Sequence, residues 1–206
     1  MTADLARTCR SLHVVAELVL AGPQYRAHRD IRLQVRPGGF GTVAGPDVRV
    51  NEASVVRDDV IAAIDGATPA AIAKQLGLQA SGLEDVYRGG TNANADEKLA
   101  ASTESAAYLV ACYAAGDAGL AQFAPDAERV LWPEHFDVGI RVDDVNYGVS
   151  TGDETVAEPY AYVGPDEVPD APFWNAPFGA VLRLGTEPAA DAIAEFFTHG
   201  RDALRG

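Results

Sequence analysis

The sequence predicts an α+β fold, an antiparallel or mixed sheet with helices packed on one side and with N- and C-terminal helices bracketing the strands. Three observations predict it. Apolar residues recur at helical spacing at both ends of the chain, strand-like alternation falls into two groups, and short turns rather than crossover helices join the strands within each group. With 206 residues, one hydrophobic core is expected, so the span 1–206 is read as a single domain that needs no disulfide or metal for stability.

The elements follow in order. Leu5, Cys9, Leu12, Ala16 and Val19 line one face of a helix over about residues 3–20, which Gly22 and Pro23 should end. Ile31, Leu33 and Val35 alternate with Arg32, Gln34 and Arg36, the period of a half-buried strand. Pro37, Gly38 and Gly39 stop it, and Val48, Val50, Val55 and Val56 suggest two further strands of a meander. Asp58 or Asp59 could cap a short helix through Ile64, and Thr68 with Pro69 opens another that closes at Gly77. Residues 81–100 show no period, and Gly89, Gly90, Asn92 and Asn94 mark a loop, the segment expected to be most flexible. Ser102 caps a long helix to about Gln122. Strands are expected near 129–132, 136–142, 145–149, 160–163 and 179–184, then a helix from Thr186 to Leu204.

Composition narrows the partners. Sixteen basic and thirty acidic residues give a net charge of −14, which repels phosphate backbones and anionic lipid, so neither nucleic acid nor a membrane surface is expected as a partner. No stretch reaches the length of a membrane span, and Asp4 and Glu17 interrupt the place where a signal peptide is apolar. Cys9 and Cys112 sit on helical apolar faces without metal-ligand spacing, and reduced thiols in a cytoplasm follow. Nothing in the sequence sets an oligomeric state, and no cofactor or metal is expected.

Four stretches carry possible chemistry. Gly148-Val149-Ser150-Thr151-Gly152 matches the G-x-S-x-G nucleophile elbow, with Asp166 or Asp170 and then His199 in hydrolase order, but Pro159 leaves no room for the helix an elbow requires, and a glycine-rich turn is the stronger reading. Thr68–Leu78 followed by Ser81–Tyr87 has the outline of a helix-turn-helix, yet Glu84 and Asp85 stand where DNA contacts need donors, which favours an ordinary core helix. Pro37–Gly41 could offer amides to an anion, but a hairpin loop needing positive φ explains it better. The richest segment joins Trp132-Pro133-Glu134-His135-Phe136-Asp137 with Asn146-Tyr147, Asp153, Glu158, Tyr160 and Trp174-Asn175. If 134–138 is extended, His135 and Asp137 share one face. An imidazole beside carboxylates can act as a general base. Aromatics with asparagine and aspartate at strand ends can equally form a satisfied network that fixes loops.

At these residues the chain resembles a group of uncharacterised actinobacterial proteins of similar length, whose signature reads W-P-E-H-F-D, then N-Y-G-x-S-x-G-D, then E-P-Y-x-Y-V-G-P, then W-N-A near a closing helix. Trp132–Asp137, Asn146–Asp153, Glu158–Pro165 and Trp174–Ala176 fit it, whereas about 58–100 fits poorly. The resemblance implies an α+β layout and no particular activity. In that layout the elbow and helix-turn-helix stretches belong to ordinary elements.

The expected function is small-molecule binding, possible catalysis included, through a polar, aromatic-lined pocket in the last third of the chain. Glu134, His135 and Asp137 are the expected catalytic anchors, with His135 as proton carrier. Asn146, Tyr147, Asp153, Glu158 and Asn175 stand beside them, and Trp132, Tyr160 and Trp174 form the walls. The alternatives are a non-catalytic acidic module that meets a basic protein and a serine hydrolase using Ser150.

Overall fold

The computed structural model describes residues 2–153 and 155–205. The fold is α+β with antiparallel strands, and helices precede and follow them in the chain. Two compact units are present, one of residues up to Val110 with Leu131–Phe136, the other of Ala111–Val130 with residues from Asp137 onward.

In the first unit, α1 (Ala3–Val15) starts at Thr2, whose hydroxyl accepts the Leu5 amide at 3.2 Å. The helix does not end at Gly22 and Pro23 as the sequence suggests. It passes through a π-helical turn, Ala16–Ala21, into α2 (Gly22–His28) and stops at Arg29, which is left-handed with φ 60°. Proline lacks an N–H and crowds the carbonyl four residues back, and the wider π geometry just before Pro23 absorbs that conflict without breaking the rod. Gln24 is fully buried and satisfied: its amide donates to the carbonyls of Asp30 and Arg32, and its oxygen accepts the amides of Val43 and Ala44.

The strands β1 (Leu33–Arg36), β2 (Gly39–Thr42), β3 (Arg49–Asn51), β4 (Ser54–Arg57) and β5 (Val60–Ala63) form an antiparallel meander, and Leu131 of β6 (Val130–Trp132) pairs with Leu33 on its other side. Leu12, Val15, Val19, Leu33 and Phe40 are buried in this unit. Two expectations change here. The glycines at 39 and 41 lie within β2, so the turn is only Pro37-Gly38. Residues 60–63 form a strand and not a capped helix, because Asp58 takes φ 52° and with Asp59 makes the two-residue link between Arg57 and Val60. Thr68 caps α3 (Pro69–Gln75) through the Ala71 amide at 3.2 Å. No second helix follows it: residues 78–101 contain only turns and irregular chain, so a helix-turn-helix does not form. Ser102 caps α4 (Thr103–Phe123) through the Ser105 amide, and the residues of α4 from Ala111 onward belong to the second unit.

The second unit has four antiparallel strands in the order β10 (Ala180–Arg183), β9 (Tyr160–Pro165), β8 (Val145–Ser150), β7 (Asp137–Val142). Asp143 and Asp144, with φ 51° and 62°, make the tight turn between β7 and β8. Val138, Ile140, Tyr147, Val149 and Val163 are buried, and they fall on one face of the sheet by alternation. The later turns of α4 and α5 (Ala190–Arg205) lie against that face, with Gly116 near Val149 and Gly200 near Val163. Phe123, Tyr147 and Phe197 meet there, ring centroids 4.6 to 5.7 Å apart. Ser150 ends β8 buried, and residues 151–153 and 155–159 are irregular, so the helix of a nucleophile elbow is missing.

Candidate functional site

The first unit holds a cleft of about 230 Å³ built from the π-helical turn and the irregular strap of residues 82–93. Its floor is Glu17, an acid in the run Val14-Val15-Ala16-Glu17-Leu18-Val19-Leu20 and only 5% exposed. A carboxylate taken out of water must find donors. Glu17 finds three: the Tyr87 hydroxyl at 2.8 Å, the Thr91 amide at 2.8 Å and the Thr91 hydroxyl.

The π turn makes this meeting possible. In it the Gly22 amide bonds to the Glu17 carbonyl, five residues back, which releases the Leu18 carbonyl to accept the Ser81 amide at 2.9 Å. The strap therefore begins on the helix backbone itself. A Cβ on Gly22 would lie 1.8 Å from the Ser81 oxygen, and one on Gly90 would lie 1.9 Å from Glu17 Oε1, so both approaches need glycine. Arg10 holds the far end of the strap through Glu97, at 3.1 Å from each nitrogen, and through the Thr91 carbonyl.

Burial raises the Tyr87 phenol well above its usual pKa, and the nearby charges of Glu17, Glu134 and Glu84 raise it further. Tyr87 therefore stays protonated and donates to Glu17. His13, one helical turn before Glu17, is half-buried and stacks on Phe136 with centroids 4.9 Å apart, and its Nε2 donates to the Pro133 carbonyl at 2.7 Å. Burial lowers its pKa and so favours the neutral ring, partly opposed by the Glu17 charge.

The residues selected from sequence are placed differently. Trp132-Pro133-Glu134-His135-Phe136 is a turn closed by the Phe136 amide on the Trp132 carbonyl at 2.8 Å, with Phe136 at φ 52°. The extended form that would align His135 with Asp137 is absent. Trp132 is exposed, and the His135 side chain is 70% exposed with Glu134 3.9 Å away. In the second unit, Asp137 is buried and accepts the Tyr162 hydroxyl. Asn146 is exposed and accepts from Arg141 at 3.4 Å, and Tyr147 is a core residue. Asp153 accepts the amides of Thr155 and Val156 and the Tyr160 hydroxyl, which fixes the turn after β8. Glu158 faces Arg183 at 3.4 Å on the surface. Trp174 packs edge-on against Phe173 at 5.0 Å, and the Asn175 amide bridges both the N–H and the carbonyl of Val181 on β10. Asp153 with Tyr160 and Glu134 with His135 are the pairs brought together. None of the eleven lines the cleft.

No family model, curated protein or solved structure matches the chain.

The cleft residues sequence reasoning missed are Glu17, Tyr87 and Thr91. A signal was present: a lone carboxylate inside a seven-residue apolar run is on the buried side of its helix and needs partners from elsewhere. Among the described residues no group of three His, Cys, Asp or Glu side chains is placed to hold a metal, and no helix is long and apolar enough to cross a membrane. With its oxygens engaged by three donors, Glu17 positions the strap. The side chains of Glu84, Arg88 and Tyr87 line the cleft with Asn92, whose amide nitrogen donates to the Gly90 carbonyl.

Proposed function

We propose that the protein binds a small polar molecule in the cleft between the π-helical turn and the 82–93 strap. The supporting observation is the buried Glu17, whose bonds hold an irregular segment of chain in a concave shape lined by convergent polar groups. Concavity with a few fixed polar groups is what small-ligand sites share. At about 230 Å³ the cleft is below the size of drug-sized pockets, which run from about 300 Å³ upward, so the guest is a compact molecule. The expected pocket of the last third is relocated in this proposal, and of its residues Glu134 alone acts here, through its charge at Tyr87.

The test is a screen of small polar fragments of all charge types against the isotope-labelled protein, read by amide chemical shifts. Binding should move the resonances of Gly89, Gly90, Thr91 and Asn92 together and saturably. A screen in which fragments move only resonances outside residues 82–93, or none at all, would falsify the proposal.

A further inference from the structure

We infer that the 82–93 strap is a gate which opens as a unit, latched by Glu17. The inference rests on the proposed cleft for its purpose and on separate observations for its mechanism.

Along residues 82–93 the chain has no strand or helix ladder of its own, so few backbone bonds oppose its movement. Its internal bonds are local turns: the Val86 and Tyr87 amides on the Leu83 carbonyl, the Asn92 side-chain amide on the Gly90 carbonyl and the Ala93 amide on the Thr91 hydroxyl. Leu83 and Ala93 anchor its ends by burial, and between them it is tied down by Arg10 at the Thr91 carbonyl and by the carboxylate of Glu17, which spans 70 residues of sequence to Tyr87 and 74 to Thr91. The two ends are fixed by different means. Ser81 is bonded to the helix backbone at Leu18, and the outgoing end meets the surface pair of Arg10 with Glu97. Glycines at 82, 89 and 90 stand between these points, with Gly89 at φ 105°, and Asn92 takes φ 52°, so the backbone can rotate where most residues cannot.

The floor, by contrast, does not move with the strap. Val15, Ala16, Val19 and Leu20 around Glu17 are fully buried. Breaking the three Glu17 bonds and the Arg10 bond to the Thr91 carbonyl thus releases the stretch from Glu84 to Asn92, between the buried Leu83 and Ala93, without unfolding the helix beneath it. Opening removes most of the cleft wall, since ten of its twelve lining residues belong to the strap. A guest that binds the closed form must shift the equilibrium towards the latched state.

Native-state hydrogen exchange on the ligand-free full chain tests the gate. The amides of Tyr87 and Thr91 should exchange together, through an opening that is insensitive to low denaturant and at least about a hundredfold more frequent than the opening that exposes Val15 and Val19. Glu17→Gln replaces one acceptor oxygen with a donor and should speed exchange of the strap amides by about tenfold or more, leaving Val15 and Val19 within about twofold. Tyr87→Phe retains the carboxylate and its Thr91 bonds and should give a smaller acceleration, about fivefold, so the gate stays testable if Glu17→Gln does not fold. Exchange of the Thr91 amide only through global unfolding, with the same denaturant dependence as Val19, overturns the gate. So does an equal acceleration of strap and helix amides in Tyr87→Phe. The experiment contains no ligand, so its failure leaves the fragment screen to decide the binding proposal independently.

Discussion

Asp137 was selected from sequence as a catalytic anchor beside His135, and in the structure it is tied to Tyr162 across the sheet, an anchor of β7 that Tyr162→Phe can test. The substitution removes a single hydroxyl and keeps the ring, so packing is nearly conserved and little cavity is opened. What is lost is a hydrogen bond from Tyr162 to a buried carboxylate. Such charge-assisted bonds contribute about 1.5–3 kcal/mol, roughly twice a neutral one, because the acceptor stays desolvated when its donor goes. The Tyr162 phenol is raised well above its usual pKa by burial, then by the Asp137 charge, so it is a donor throughout the accessible pH range and the wild-type reference does not drift. For a chain of this size a loss of about 2 kcal/mol lowers the melting temperature by about 4–8 °C and moves a urea midpoint by about 1 M. A Trp132→Phe background leaves Trp174, in the same unit as Tyr162, as the sole tryptophan reporter. In a double-mutant cycle with Asp137→Asn, the two substitutions should couple by more than about 1 kcal/mol. A loss below about 0.5 kcal/mol with no coupling refutes the anchor.

Two further predictions come from the same structure. His13 has a pKa below its unfolded value of 6.5, so between the lowered value and 6.5 the unfolded chain binds more protons; stability should rise with pH through that window and be complete above it, and urea midpoints from pH 5 to 7.5 should lose this increment in His13→Asn, which can still donate to Pro133. Asn175→Ala strips both hydrogen bonds from the outer side of β10; it should cost about 1 kcal/mol and make sedimentation concentration-dependent, because an uncapped edge strand offers pairing groups to another chain, and a variant that melts and sediments like wild type contradicts the capping role.

Local signals made much of the fold legible. Ser102 announced α4, Thr68-Pro69 announced α3, and the strands expected near 136–142 and 145–149 are present as a hairpin closed at Asp143-Asp144. Where the reading departed from the structure, one residue answered to something outside its own window. Asp58 and Asp59 look like a helix cap, but a left-handed Asp58 closes a hairpin whose partner strand supplies the hydrogen bonds. Pro23 looks like a terminator, but a π turn accommodates it. The candidate site was less legible. Its donors come from residues 87 and 91 and its acceptor from residue 17, and no periodicity links them. The aromatic and acidic clusters of the last third drew attention because they are dense in sequence. Their partners are mostly near neighbours, as with Asp153 and Thr155, and this density builds turns.

The contrast between Gln24 and Glu17 shows why one buried polar group is a fastener and the other a latch. Both lie on the same helical rod and both are satisfied. Gln24 ties the segments flanking β1 and following β2, which the strand ladder already holds, so breaking its bonds frees nothing until the sheet separates. Glu17 ties a segment with no ladder, through bonds to both of its own oxygens. A buried carboxylate in an apolar helical run therefore acquires its consequence from what it holds. Where that is an irregular chain over a cleft, a local equilibrium of a few kcal/mol is separated from the global one, and a guest can bias it.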